Sequence, residues 1–337
     1  MFRINRMADA VRFFREGGVN RPCYTFSMER INILAGTYTD SGSEGIYSFG
    51  FEDGKLTSPE LFAKISSPKY ISVENGLVAS IGKFEHGAGA AVFDGNGTML
   101  GKAEYEKKTS CFITWHDGDI YTANYHEGTF TKLKFDGSSL RVEKTVEIKE
   151  GAGCHQVLFH DSQILVPALF LDRLMIFDTD LNYQGSVVFP DGTGPRHGIF
   201  SKDQTTLYLL SELSNELFVL DAGTWKLRAS MPVLKDGRTH LRGGAAIRLS
   251  EDETRLYVST RGQDLISVIN LERMSVLQDA YCGGKHPRDF ILAGDAVLCA
   301  NRYSDTVVCF RRNEDGTIGE ETSRINIPQA VCLAVIE

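Results

Sequence analysis

Arginine, histidine and glutamate stand at matching points of a recurring pattern in this chain: His155 in Gly153-Cys154-His155, Arg196 and His197 in Gly194-Pro195-Arg196-His197, Glu212 before Leu213, Arg261 after Thr260, and Arg288 after Pro287. A guanidinium presents a rigid fork that suits phosphate or carboxylate, so Arg196, Arg261, Arg288 and Arg242 would attract a small anion. Glu212 among these cations would stay ionised and be available to accept a proton. His155 is the second acid–base candidate. Blander roles are open for several of them: His197 bonding an adjacent turn, Glu212 neutralising a structural arginine, Arg242 solvated. The chain has no Gly-x-Ser-x-Gly elbow, phosphate-cradling loop, His-Glu-x-x-His or other metal-ligand spacing. Water is therefore the expected nucleophile, and no metal or cofactor is expected.

What must position these side chains is a repeat. A β-branched or apolar run, a short polar loop and a second β-run recur seven times, and the ends of the first runs fall at Gly36, Ile81, Asn124, Ala168, Glu212, Thr260 and Asn301. The steps are 41 to 48 residues, about 44 on average. A second ladder precedes each hairpin, at Pro68-Lys69-Tyr70, Ser110-Cys111-Phe112, Cys154-His155-Gln156, Pro195-Arg196-His197, Arg242-Gly243-Gly244, Pro287-Arg288-Asp289 and Pro328-Gln329-Ala330. Four strands in this length is the spacing of a propeller blade. The expected fold is all-β: a seven-bladed β-propeller of four-stranded antiparallel blades. Because the first hairpin (31–51) lacks a leading strand and the last leading strand (330–336) lacks a hairpin, the N- and C-terminal strands are expected to pair and close the ring. The start of a leading strand and the end of the next lie at one rim. Lys69, His155, Arg196, His197, Arg242, Arg288 and Gln329 should then share a mouth with Tyr38, Asn124, Tyr125, Glu212, Asn215, Arg261, Asn301 and Arg302. His86, His116, His126, His160 and His240 are read as surface or turn residues.

The charge balance, 36 basic against 44 acidic residues, argues against a nucleic-acid or anionic-membrane partner. No apolar run reaches the roughly 18 residues of a membrane span. The seven scattered cysteines form no Cys-x-x-Cys pair and read as buried apolar residues in a reducing, cytoplasmic compartment. Residues 1–27 carry a short helix-like pattern ending at Gly17-Gly18 and are read as an N-terminal extension, disordered or a start-site artefact, with Met28 the expected natural start. Residues 28–337 then form a single propeller domain, expected as a monomer or weak dimer.

The ordered motifs carry a resemblance. Gly153-Cys154-His155 with Leu165-Val166-Pro167-Ala168-Leu169 and Asp172-Arg173, Gly194-Pro195-Arg196-His197 with Phe200, Glu212-Leu213 with Asn215, Leu256-Tyr257-Val258-Ser259 with Arg261, Pro287-Arg288 with Phe290, and Gly36-Thr37-Tyr38-Thr39 resemble the seven-bladed bacterial 6-phosphogluconolactonase family from about Met28 to the C-terminus. The related carboxy-muconate lactonising enzymes have proposed catalytic groups similar to His155, Arg196 and Glu212. The resemblance implies a small anionic sugar lactone as substrate, 6-phospho-D-glucono-1,5-lactone, hydrolysed by acid–base activated water. Catalytic roles fall to His155, Arg196 and Glu212, with base and acid left unassigned. Substrate binding falls to His197, Asn215, Arg261, Arg288 and Tyr38, with Arg261 and Arg288 holding the phosphate. Thr260 and Asn124-Tyr125-His126 depart from the family pattern. A lactonising enzyme, another sugar-lactone hydrolase and a non-catalytic binding propeller are the alternatives.

Overall fold

The second strand of each repeat is buried on both faces, as Ala296–Asn301 shows along its whole length, and only a neighbouring blade can cover such a strand. In the computed structural model, which describes residues 30–237 and 242–336 together with the backbone of Val11–Glu16 and Val19–Tyr24, seven antiparallel blades satisfy this requirement. The innermost strands, in chain order from blade 1, are Ala330–Ile336, Ile71–Glu74, Phe112–His116, Leu158–His160, Pro195–Phe200, Gly244–Leu249 and Pro287–Ala293. Blade 1 joins the two ends: Ala330–Ile336 pairs with Ile31–Thr37, with Ala35 opposite Leu333. The expected ring closure is therefore present, and it pairs two edges that would otherwise be open.

Seven apolar clusters occupy the seven gaps between blades. Leu34, Ile46 and Val78 pack blade 1 on blade 2, Leu165, Leu174 and Phe218 pack blade 4 on blade 5, and Ile33, Leu298 and Val307 seal blade 7 against blade 1. Burying apolar area in this way contributes about 25 cal/mol per Å². Because the core is distributed around the ring, the axis is left free for polar groups. Outer strands such as Leu140–Glu147 are largely exposed, which fits their charged sequence. Asn75-Gly76 and Asp117-Gly118 turn two inner hairpins with both residues at positive φ, the conformation that a two-residue hairpin loop demands.

Some expectations need correction. The helix-like reading of 1–27 is replaced by an antiparallel pair, Val11–Glu16 with Val19–Tyr24; the Gly17-Gly18 between them is a two-residue hairpin signal, and it outweighs the apolar spacing. The disorder, start-site and Met28 readings lie outside the described residues, as does His240. His160 is buried, stacked on Phe200 at 5.1 Å and bonded through Nε2 to the Gln204 carbonyl at 2.8 Å, because it covers the outer end of a blade gap. Six cysteines are buried and free; the side chain of Cys23 lies outside the described residues. No helix among the described residues is long and apolar enough to cross a membrane.

Candidate active site

The hairpin tips of blades 4 to 7 on the mouth side reach forward to hold the next inner strand. Asp172 accepts hydrogen bonds from the Gly192 and Gly194 N–H groups (2.8 and 2.7 Å), Asn215 from Gly244 (2.8 Å), Asp264 from His286 (2.7 Å) and Asp305 from Gln329 (2.8 Å). All four sit at φ between 50° and 57°, a region that Asn and Asp tolerate best among residues with a Cβ. The sequence therefore folds locally into a ring of clamps that fixes where Arg196, Arg288 and Gln329 begin.

On the blade 5–6 side the charges are matched. Glu212 Oε2 accepts from Arg196 Nε at 2.9 Å and lies 2.7 Å from an Arg261 terminal nitrogen. A further Arg196 nitrogen donates to the Ala245 carbonyl, and Arg196 is 2 % exposed. Burial pulls Arg196 down to about 10, helped by the Arg261 charge and opposed by Glu212, so it remains charged at neutral pH. Burial favours the neutral form of Glu212, but Arg261 and Arg196 outweigh it and hold the carboxyl below its usual range. This is a buried ion triad, whose removal by halves would strand a charge.

On the blade 7–1–2 side the charges are unmatched. Tyr38 lies under Arg302, 3.7 Å from its guanidinium carbon to the ring centroid, with Arg288 at 5.9 Å and Lys69 at 5.6 Å. Arg302 has partners in Gln329 Oε1 at 3.3 Å and Asp40 at 3.8 Å. Among the described residues the ammonium of Lys69, which is 9 % exposed, has a single hydrogen bond, to the Thr109 carbonyl at 3.4 Å. Arg288 makes no hydrogen bond or ion pair with a described residue, and its nitrogens are not sealed from solvent. Burial would raise the Tyr38 phenol, yet Arg288, Lys69 and Arg302 together bring it below its usual value. Burial pushes the Lys69 ammonium down.

Between the two sides His155 is 3 % exposed, and its Nδ1 lies 3.1 Å from Nε2 of His197. Burial, then the Arg196 charge, drive both imidazoles well below the ordinary histidine range, so both are neutral at pH 7. His197 rests edge-on against Tyr70 and Phe112. Below this aromatic layer the channel opens to the other face as a chamber of 410 Å³, which His197 lines together with Ser72, Thr114, Gln156 and Arg248.

Of the residues named from sequence, the structure gathers His155, Arg196, Glu212, Arg261, Arg288 and Tyr38 at one mouth. It does not bring Asn215 there: that side chain is fully buried and belongs to the clamp series with Asp172, Asp264 and Asp305. Asn124 and Asn301 are likewise buried and spent on backbone groups. His197 lies behind His155, in contact with its Nδ1. Arg261 is engaged by Glu212 and by the Gly243 carbonyl at 3.3 Å. Arg242 is exposed, which fits the solvated reading. Lys69 and Arg302 were placed at the mouth by the ladders but not singled out as ligands. His286 was missed, although it directly precedes Pro287-Arg288; its Nδ1 is buried without a partner, and it packs on Tyr303 at 4.3 Å.

A closed seven-bladed ring with acid–base groups and arginines converging on one axial mouth has the build of a propeller enzyme that works on a small molecule. Comparison with known proteins specifies the kind. The family described as lactonase, 7-bladed beta-propeller, matches residues 32–335. The chain belongs to this family and is a lactone-hydrolysing enzyme. It is 29 % identical to the 6-phosphogluconolactonase of Bacillus subtilis over 88 % of this chain and 96 % of that protein. A solved structure from Lactobacillus plantarum superposes with a TM-score of 0.84 at 25 % identity, covering 91 % of this chain and all (100 %) of that one. The periplasmic gluconolactonase of Pseudomonas aeruginosa shares the fold, with a TM-score of 0.82 at 22 % identity over 92 % of this chain and 99 % of its own.

Proposed function

We propose that the protein hydrolyses 6-phospho-D-glucono-1,5-lactone to 6-phosphogluconate, a cytoplasmic sugar-phosphate reaction. The observation that carries this reading is the unmatched cationic side of the mouth. Arg288 and Lys69, with Arg302, face a space next to the acid–base group His155 and have no carboxylate of their own, apart from the long contact of Arg302 to Asp40. A phosphate there would complete charge-assisted hydrogen bonds, and the lactone ring would extend toward Arg196 and His155.

In the reaction a water attacks the lactone carbonyl, and Nε2 of His155 takes its proton. The oxyanion forms beside Arg196, which keeps guanidinium donors beyond those given to Glu212 and the Ala245 carbonyl; such a donor is worth about 2.7–4 kcal/mol. The tetrahedral intermediate collapses, the bond from carbonyl carbon to ring oxygen breaks, and the imidazolium returns its proton to that oxygen. Glu212, held ionised by two arginines, is poorly suited to donate a proton. Its role is to orient Arg196 and to stabilise the transient positive charge on His155.

The test is the rate of hydrolysis of freshly generated 6-phosphogluconolactone, coupled to 6-phosphogluconate dehydrogenase and corrected for spontaneous opening, beside the unphosphorylated lactone. A large enzymatic excess with a lower KM for the phosphorylated compound is expected. Equal KM values for both, or turnover of a carboxy-muconate lactone alone, would overturn the assignment of substrate.

A further inference from the structure

Two imidazoles in contact, neither charged, share a single proton along the line between them, and which ring carries it decides what the other can do. His155 Nδ1 and His197 Nε2 are 3.1 Å apart. Nε2 of His155 makes no hydrogen bond to a described residue and is not sealed from solvent, so it is the atom that meets a ligand in the mouth. If His197 supplied the proton, Nε2 of His155 would itself carry hydrogen and could not accept one. If His155 carries it on Nδ1, Nε2 is a lone pair and a base.

We propose that His197 is a positioning residue that accepts the Nδ1–H of His155 and thereby leaves the Nε2 lone pair of His155 directed at the mouth. The proposal rests on the reading of His155 as the base. Electrostatics favours this tautomer: the guanidinium charges acting on His155 are those of Arg196, Arg288 and Arg261 at the mouth, and a lone pair pointing at guanidinium groups lies lower in energy than an N–H dipole pointing at them. The geometry is locked in place. One residue further along, Gln156 Oε1 accepts from the Gly198 N–H at 2.6 Å while its Nε2 donates to the Gly198 carbonyl at 3.2 Å, which fixes the inner strands of blades 4 and 5 against each other at the two histidines. The Tyr70 and Phe112 rings, with centroids 6.2 and 5.9 Å from that of His197, hold its plane. A second-ring acceptor that fixes an imidazole tautomer is a recurrent requirement of histidine bases.

The experiment compares His197→Gln, whose side-chain oxygen can reach the position of the lost Nε2, with His197→Phe, which keeps the ring and removes the acceptor. In the intact protein, nitrogen-15 NMR of His155 should report a protonated Nδ1 and an unprotonated Nε2 at pH 7. In His197→Phe the His155 tautomers should mix, and kcat should fall by about 10²-fold with KM changed less than about threefold, because the phosphate side is untouched. His197→Gln should recover most of kcat and the single tautomer. An Nε2-protonated His155 in the wild type, or a wild-type kcat and unchanged tautomer in His197→Phe, would overturn the proposal. If the protein hydrolyses no lactone, the functional reading falls, and the NMR comparison still decides the positioning claim by itself.

Discussion

The two sides of the mouth carry similar residues in opposite electrostatic states. Around Glu212, two arginines share one carboxylate oxygen; around Tyr38, Arg288 and Lys69 have no acidic partner, and even the phenol is drawn toward ionisation. The first arrangement is a finished structure that orients a donor. The second holds cations without a carboxylate, the place where the proposed reaction would seat the substrate phosphate. An arginine at a propeller mouth therefore says little by its identity: Arg196 and Arg288 occupy the same place in the repeat, each after a proline at the start of an inner strand, yet Arg196 is bonded to Glu212 and Arg288 has no such carboxylate among the described residues.

The strongest way to break this contrast is to remove the carboxylate. Glu212→Gln should lower kcat by about 10²–10³-fold, the worth of the oxyanion donor Arg196 that it orients, and destabilise the fold by about 3–5 kcal/mol, since Arg196 would be left buried without a counter-charge; lactone hydrolysis and denaturant melts check the two effects. The opposite side should respond differently. Arg288→Met should raise KM for the phosphorylated lactone by roughly 10–10²-fold, the worth of a hydrogen bond to a charged group. Its kcat should hold, its KM for the neutral lactone should barely change, and its melting temperature should barely fall, because no hydrogen bond or ion pair with a described residue is lost and only the long contact to the Tyr38 ring goes. A uniform loss on both substrates would erase the distinction between the sides.

Asn215→Ala sharpens the contrast from outside it. The Gly244 N–H would lose its acceptor, at a cost of about 1–3 kcal/mol in stability, while KM stays near wild type below the melting transition. Steady-state kinetics at low temperature beside a thermal melt would show this. Arg242→Ala, at an exposed position, should change stability by no more than about 0.5 kcal/mol and leave turnover unaltered.

Acidity tests the buried imidazoles. A histidine whose folded pKa is depressed favours the folded state above its unfolded value near 6.5, and that contribution is lost as the pH falls. His155, His197 and His286, the last at about 3, all have this sign. Glu106 has the other: burial raises it to about 7, so its contribution is complete below about 4.5 and is lost as the pH rises through 7. Three groups oppose one, and the melting temperature should fall on going from pH 7 to pH 5. Over the same range kcat/KM should not show a protonation limb near 6.5, because His155 stays neutral well below that value.

The period of about 44 residues, the alternation of apolar runs and the unpaired ladders at the two ends were enough to specify a closed seven-bladed ring, because each blade is a local hairpin unit whose apolar faces leave only one way to be covered. The same ladders named the rim on which His155, Arg196, Glu212, Arg288 and Tyr38 meet, since antiparallel pairing dictates which strand ends share a side. What the sequence could not express is which partner each side chain takes across a blade gap. Arg261 turning to Glu212, Asn215 clamping Gly244 and His197 backing His155 are contacts between residues 29 to 49 positions apart, and they depend on the angle at which neighbouring blades pack. That packing, set by seven apolar clusters far from the axis, decided which cations are consumed within the protein and which are left to meet a ligand.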